Sequence, residues 1–136
     1  MAKTSGADIV ELPRGINASR YTVNNNNAIT KGDLLFLVDP KTVSGANLAA
    51  GNAVAGVAAE DKEVADGKTD IGVWQAGVFD VVVGIGGCNI GAMLKVSGGN
   101  YVVTGTADDF MSGAAVFKAL ETGSVNEKIL VKLGLF

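Results

Sequence analysis

From Lys31 onward the chain alternates short apolar runs with glycine-bearing polar turns, and the runs have the length of strands, not of helices. Strands are predicted over Leu34 to Val38, Ala53 to Ala58, Ile71 to Trp74, Val78 to Val83, Met93 to Val96, Tyr101 to Thr104, Ala115 to Leu120 and Lys128 to Leu133. In the last of these, strict alternation puts Ile129, Val131 and Leu133 on a core face and Lys128, Leu130 and Lys132 on a mostly wet one. Ser97-Gly-Gly-Asn100 and Ala76-Gly77 each supply residues that accept positive φ, so each predicts a tight hairpin between the runs that flank it. Helix is scarce: Ala107 to Met111 is expected to make one turn and Ser44 to Ala50 another.

Residues 1 to 30 read differently. They carry Lys3, Asp8, Glu11, Arg14, Arg20 and Pro13, the tract Asn24 to Asn27, and two short apolar pieces, Asp8 to Leu12 and Tyr21 to Val23. An extended N-terminal arm (1–30) ahead of one all-β domain (31–136) is the expectation, the domain being a small Gly-rich β-barrel or β-sandwich. A weak echo recurs within it: Lys31-Gly-Asp-Leu, Ile90-Gly-Ala-Met and Ser112-Gly-Ala-Ala each place a glycine just before a strand. Its unequal spacing rules out a solenoid.

Composition sharpens this picture. The 136 residues suffice for one domain with a core of its own, 48% are hydrophobic and 18% charged, and the 19 glycines are roughly twice the usual ~7% share. The net charge of −3 and the scattered lysines and arginines give a nucleic-acid backbone no basic stripe. The longest uncharged run, Thr42 to Ala59, is too interrupted by Gly and Asn to cross a membrane, and the first residues carry no apolar signal core, so synthesis in a cytoplasm is expected.

Candidate chemistry is sparse. With no histidine, the usual nucleophile–base pairs and most zinc sites are absent, the strongest argument against an enzyme. Asp66-Gly-Lys-Thr69 resembles the end of a phosphate-binding loop, but Lys62 stands where its first glycine should be and no helix follows. Gly84-Ile-Gly-Gly-Cys-Asn89 departs from a dinucleotide fingerprint in the same way and reads as a bend between strands. Glu60-Asp-Lys-Glu63 and Asp108-Asp109 read as solvated turns, with weak cation binding the alternative. Cys88, the single cysteine, is a buried small hydrophobe, a reactive thiol or an intersubunit bridge; its flanks hold no cation to lower its pKa. Asn17-Ala-Ser19 matches a glycosylation sequon that matters only in a secretory pathway. Trp74 and Phe79, either side of the expected hairpin, are core residues or interface anchors. No catalytic, cofactor-binding or metal-ligating set emerges.

Gly51-Asn-Ala-Val-Ala-Gly-Val-Ala-Ala-Glu-Asp61, the turn Asp66 to Asp70 and Gly72-Val-Trp-Gln-Ala-Gly-Val-Phe-Asp80 resemble the capsid decoration (head-stabilising, cement) proteins of tailed bacteriophages, as do Ala28 to Leu35 and Ile90 to Val96. The resemblance spans roughly residues 28 to 120. It implies a compact barrel or sandwich of SH3-like or β-tulip type with an N-terminal arm, assembling as homotrimers on the outer surface of a virion's head and reinforcing the shell against genome pressure. It also implies that the arm, here Asp8, Ile9, Val10, Glu11, Leu12, Arg20, Tyr21, Thr22 and Val23, adds strands to sheets of the major capsid protein. The rival readings are another phage structural part, such as a tail or head-fibre component, and a small barrel that binds a ligand such as sugar or lipid, for which Trp74, Gln75 and Tyr101 are the candidates.

Overall fold

A computed structural model describes residues 6–12, 18–24, 26–38, 41–45, 53–97 and 100–133. Eleven strands and one short helix follow in chain order: β1 (Ala7–Glu11), β2 (Ser19–Val23), β3 (Leu34–Val38), β4 (Thr42–Gly45), β5 (Val54–Ala58), β6 (Asp70–Trp74), β7 (Gly77–Val82), β8 (Met93–Ser97), β9 (Tyr101–Thr104), α1 (Ala107–Met111), β10 (Ala115–Ala119) and β11 (Lys128–Leu133). They form a closed five-stranded barrel in the order β2-β4-β3-β5-β6 and a six-stranded sheet in the order β1-β7-β11-β10-β8-β9. The all-β expectation holds, with a barrel and a sheet together in place of one barrel or sandwich.

The apolar run Leu34-Leu-Phe36 shows why both bodies need each other. Leu35 points into the barrel with Val23, Ile29, Val43, Ile71 and Val73, whereas Leu34 and Phe36 join a second core with Phe79, Val81, Leu94, Phe117 and Val131 of the sheet. A strand buried on both faces loses the period-two polar positions, and β3 accordingly begins with three apolar residues. β11, covered on one face only, keeps its alternation, with Ile129, Val131 and Leu133 buried.

The glycine echo marks real turns. Gly32, Gly91 and Gly113 lie at φ of 92°, 84° and 83°, each two residues ahead of β3, β8 or β10. Side chains seldom adopt that region, so glycine lets the backbone reverse there at least cost.

Four expectations need correction. The two apolar pieces of the presumed arm are strands of the body: β1 pairs antiparallel with β7, and β2 lies between β4 and β6. Their partners are up to some 70 positions away, so local sequence gives no sign of the pairing. Ala76-Gly77 closes no hairpin, because β6 belongs to the barrel and β7 to the sheet; Gly77, at φ 138°, sits where the chain crosses between them. Residues 42–45 form β4, where a helical turn was expected from Ser44 onward; the rest of that expectation, 46–50, lies outside the described residues. Lys62, expected in a solvated turn, is 2% exposed. The Ser97 to Asn100 hairpin joins β8 to β9 as expected, its residues 98 and 99 lying outside the described ones.

Candidate functional site

The residues expected to grip a partner occupy two separate patches. On β1, Asp8, Ile9, Val10 and Glu11 are exposed, Leu12 packs against the sheet core, and Asp8 Oδ2 accepts a 2.7 Å hydrogen bond from Lys128 Nζ. That ion pair, with Asp8 as the largest influence, raises the Lys128 pKa. A bulge at Val10 interrupts the pairing with β7, and Ala7 N donates to Gly32 O at 2.7 Å, so the outer edge of β1 is irregular and already engaged at its start.

On β2, Arg20 donates to Asp70 Oδ1 at 2.7 Å and to Glu60 Oε2 at 3.2 Å, contacts that raise its pKa, Asp70 contributing most. The Tyr21 hydroxyl accepts from Gln75 Nε2, whose Oε1 accepts from Ser19 Oγ at 2.7 Å, and Lys41 Nζ lies 5.4 Å from the Tyr21 ring centroid. Thr22 is held between Thr42 and Asp70 by the flanking strands, and Val23 is buried. With a neighbour on each side, β2 has no edge to offer a partner's sheet.

Phe79 is fully buried, so as an interface anchor it is corrected: it is core. Trp74 is half-buried against the same core, and its indole Nε1 is sealed from solvent with no hydrogen-bond partner. Of the three ligand-site candidates, Gln75 is bonded to Ser19 and Tyr21, and Tyr101 lines a groove along β9.

The carboxylates organise loops. Asp66 accepts from the backbone N–H groups of Lys68 at 2.9 Å and Glu63 at 3.0 Å and lies 3.3 Å from Lys62 Nζ, which also donates to Glu63 O at 2.9 Å. These bonds, that from Lys68 first, hold its pKa below the ordinary carboxylate value. Asp109 closes a capping box with Thr106 ahead of α1: Oδ2 accepts from Thr106 N at 2.9 Å, and Asp109 N donates to Thr106 Oγ1 at 3.2 Å. Its pKa is lowered too, chiefly by that backbone donor. Among the described residues no three of Cys, Asp and Glu gather as a metal site. Cys88 is buried, and desolvation pushes its thiol pKa up. The Gly84 to Asn89 segment is a bend, as expected, with Gly86 and Gly87 both at positive φ.

Sequence reasoning passed over the surface beside that bend. Ile85, 90% exposed between two glycines, stands with Val125 at the mouth of a groove along β9. A lone apolar residue within a glycine-rich bend was the available signal.

No family model and no curated protein matches the chain. Its fold is similar to that in the crystal structure of the head fibre gp8.5 N base of bacteriophage phi29, with a TM-score of 0.57 and 13% identity over 86% of this chain and 92% of that one.

Proposed function

We propose that the chain is a structural part of a tailed-phage head, built like the base of a head fibre and seated on the outside of the shell. The carrying observation is the fold likeness to a head-fibre base, which runs through nearly the whole of both chains. The sequence resemblance to decoration proteins points to the same part of a virion, and the barrel-and-sheet body with its loop-organising carboxylates suits a part that binds instead of catalysing. In this reading the chain assembles as a homotrimer on the major capsid protein. Exposed Ile9, Val10 and Glu11 of β1 contribute side-chain contacts, while β2 stays within the barrel.

The test is addition of purified full-length protein to heads isolated from phage lacking its gene, followed by quantitation of bound copies and imaging. Saturable binding at discrete outer sites is expected; no saturable binding to cognate heads overturns the reading. A specific observation keeps the cement function as a second reading, namely the decoration-protein resemblance across residues 51 to 80. Heads that gain heat resistance on binding would favour cement, and heads that bind with unchanged resistance would favour a fibre base.

A further inference from the structure

We propose that the groove along β9 is a binding site for neutral saccharides. It is an open cavity of about 350 Å³ bounded by the edge of the sheet, the bend at Gly84–Ile85 and the turn at Val125–Asn126. Ser97 and Tyr101 face each other across the β8–β9 ladder, so their side chains share one face, and Val103 follows two positions on along the same face. Gly84 forms the floor: a Cβ there would lie 2.9 Å from Val103 Cγ1 and 3.3 Å from Tyr101 Cβ, so the bend lies against β9 only because that position carries no side chain. The bend and the turn are each pinned by a backbone hydrogen bond, Gly84 N to Val102 O and Asn126 N to Val83 O, both 2.8 Å.

The lining selects the ligand class. None of the described residues lining the groove is charged, and Lys95, which stands opposite Val103 on the same face, is already paired with Asp109 at 3.5 Å, so a phosphate, a nucleotide or a metal ion would find no free countercharge in that lining. Ile85, Val103 and Val125 with the Tyr101 ring offer apolar surface, while Ser97, Tyr101 and Asn126 offer two hydroxyls and an amide that form no hydrogen bonds within the described protein. A hydroxyl and a primary amide both donate and accept. An uncharged ring with one C–H face and a rim of hydroxyls meets both demands: its face rests on the tyrosine and the aliphatic side chains, and its rim exchanges hydrogen bonds with the polar three. A lipid chain would use the apolar part alone and leave those polar groups desolvated, which is unfavourable.

The experiment is a titration of isotopically labelled full-length protein with maltohexaose, chitotriose, mannotriose and lactose, following backbone amide shifts. Saturable shifts are expected at the amides of 84–86, 101–103 and 124–126 with at least one sugar. Tyr101→Ala and Asn126→Gly should each weaken that binding about tenfold, as loss of a ring contact or of an amide's hydrogen bonds predicts. Glycine suits position 126, where φ is 68°, so the second variant keeps the fold even if the first does not. No saturable shift at these amides with any of the four sugars, or shifts that both folded variants leave unchanged, overturns the proposal.

Discussion

Asn100 and Asp33, 67 positions apart, meet where the β8–β9 hairpin abuts the barrel: Asn100 Nδ2 donates to Asp33 Oδ1 at 3.1 Å. The same side chain accepts from Leu34 N at 3.0 Å through Oδ1, and its backbone carbonyl accepts from Gly6 N at 3.0 Å. One residue, 8% exposed and at φ 68°, thereby ties the hairpin tip to β3 of the barrel and to the entry of β1 in the sheet.

Asn100→Ala removes both side-chain bonds, leaves the buried Leu34 N–H without its partner and puts alanine, which tolerates the left-handed region less well than asparagine, at φ 68°. A loss of about 2–3 kcal/mol is expected. Asn100→Gly relieves the backbone part only, so it should fall between wild type and alanine in urea midpoint. Equal midpoints for all three proteins would remove the tie from the account of stability.

Gly56 in β5 cannot accept a side chain. A Cβ there would lie 2.2 Å from the Trp74 carbonyl oxygen and 2.8 Å from Val73 Cγ1, on the strand that closes the barrel. Gly56→Ala is expected to cost about 3 kcal/mol or more by overpacking and lost pairing, whereas Gly67→Ala, in open space at φ +85°, should cost about 1 kcal/mol of backbone strain. Thermal unfolding of the two variants side by side measures the difference.

Acid should weaken the fold through Asp66 and Asp109. Both titrate below the ordinary carboxylate value in the folded protein, so between the folded and unfolded values the unfolded chain holds more protons. Their contribution is present above roughly pH 3.9 and is lost as pH falls through the folded values. Urea midpoints measured from pH 5 to pH 2 should fall steeply for the wild type and less steeply for Asp66→Asn combined with Asp109→Asn.

The Cys88 thiol, buried and raised in pKa by desolvation, should react with an aromatic disulfide at mildly alkaline pH far more slowly in native buffer than in urea. Rapid native reaction would return Cys88 to the reactive or bridging roles that its sequence left open.

Local pattern served well wherever a strand's character is written in its own residues. β11 announces itself by alternation, and the glycines before β3, β8 and β10 by their place ahead of apolar runs. It failed where a partner decides. β1 exposes four of its five residues and looks unlike a core strand until β7 is beside it; β4 is a four-residue stretch that pairs parallel with β2 across the barrel seam. Ala76-Gly77 has the sequence of a hairpin turn, yet Gly77 carries the chain from one body to the other. Lys62 reads as solvated among acids, and only the folded loop brings Asp66 and the Glu63 carbonyl around its ammonium. The groove draws its walls from three separated segments, with only Ile85 to hint at it.

β1 and β11 flank β7 on opposite sides and both run antiparallel to it, so they run parallel to each other. Ala7 and Ile129 stand level, each opposite Val81, while Leu133 stands at the far end, opposite Gly77. A pull on Ala7 against a pull on Leu133 therefore acts along the strands, and the two ladders resist by sliding, with their hydrogen bonds strained together instead of parting one at a time. Loaded in that direction the sheet is a lap joint, glued on both faces of its central strap.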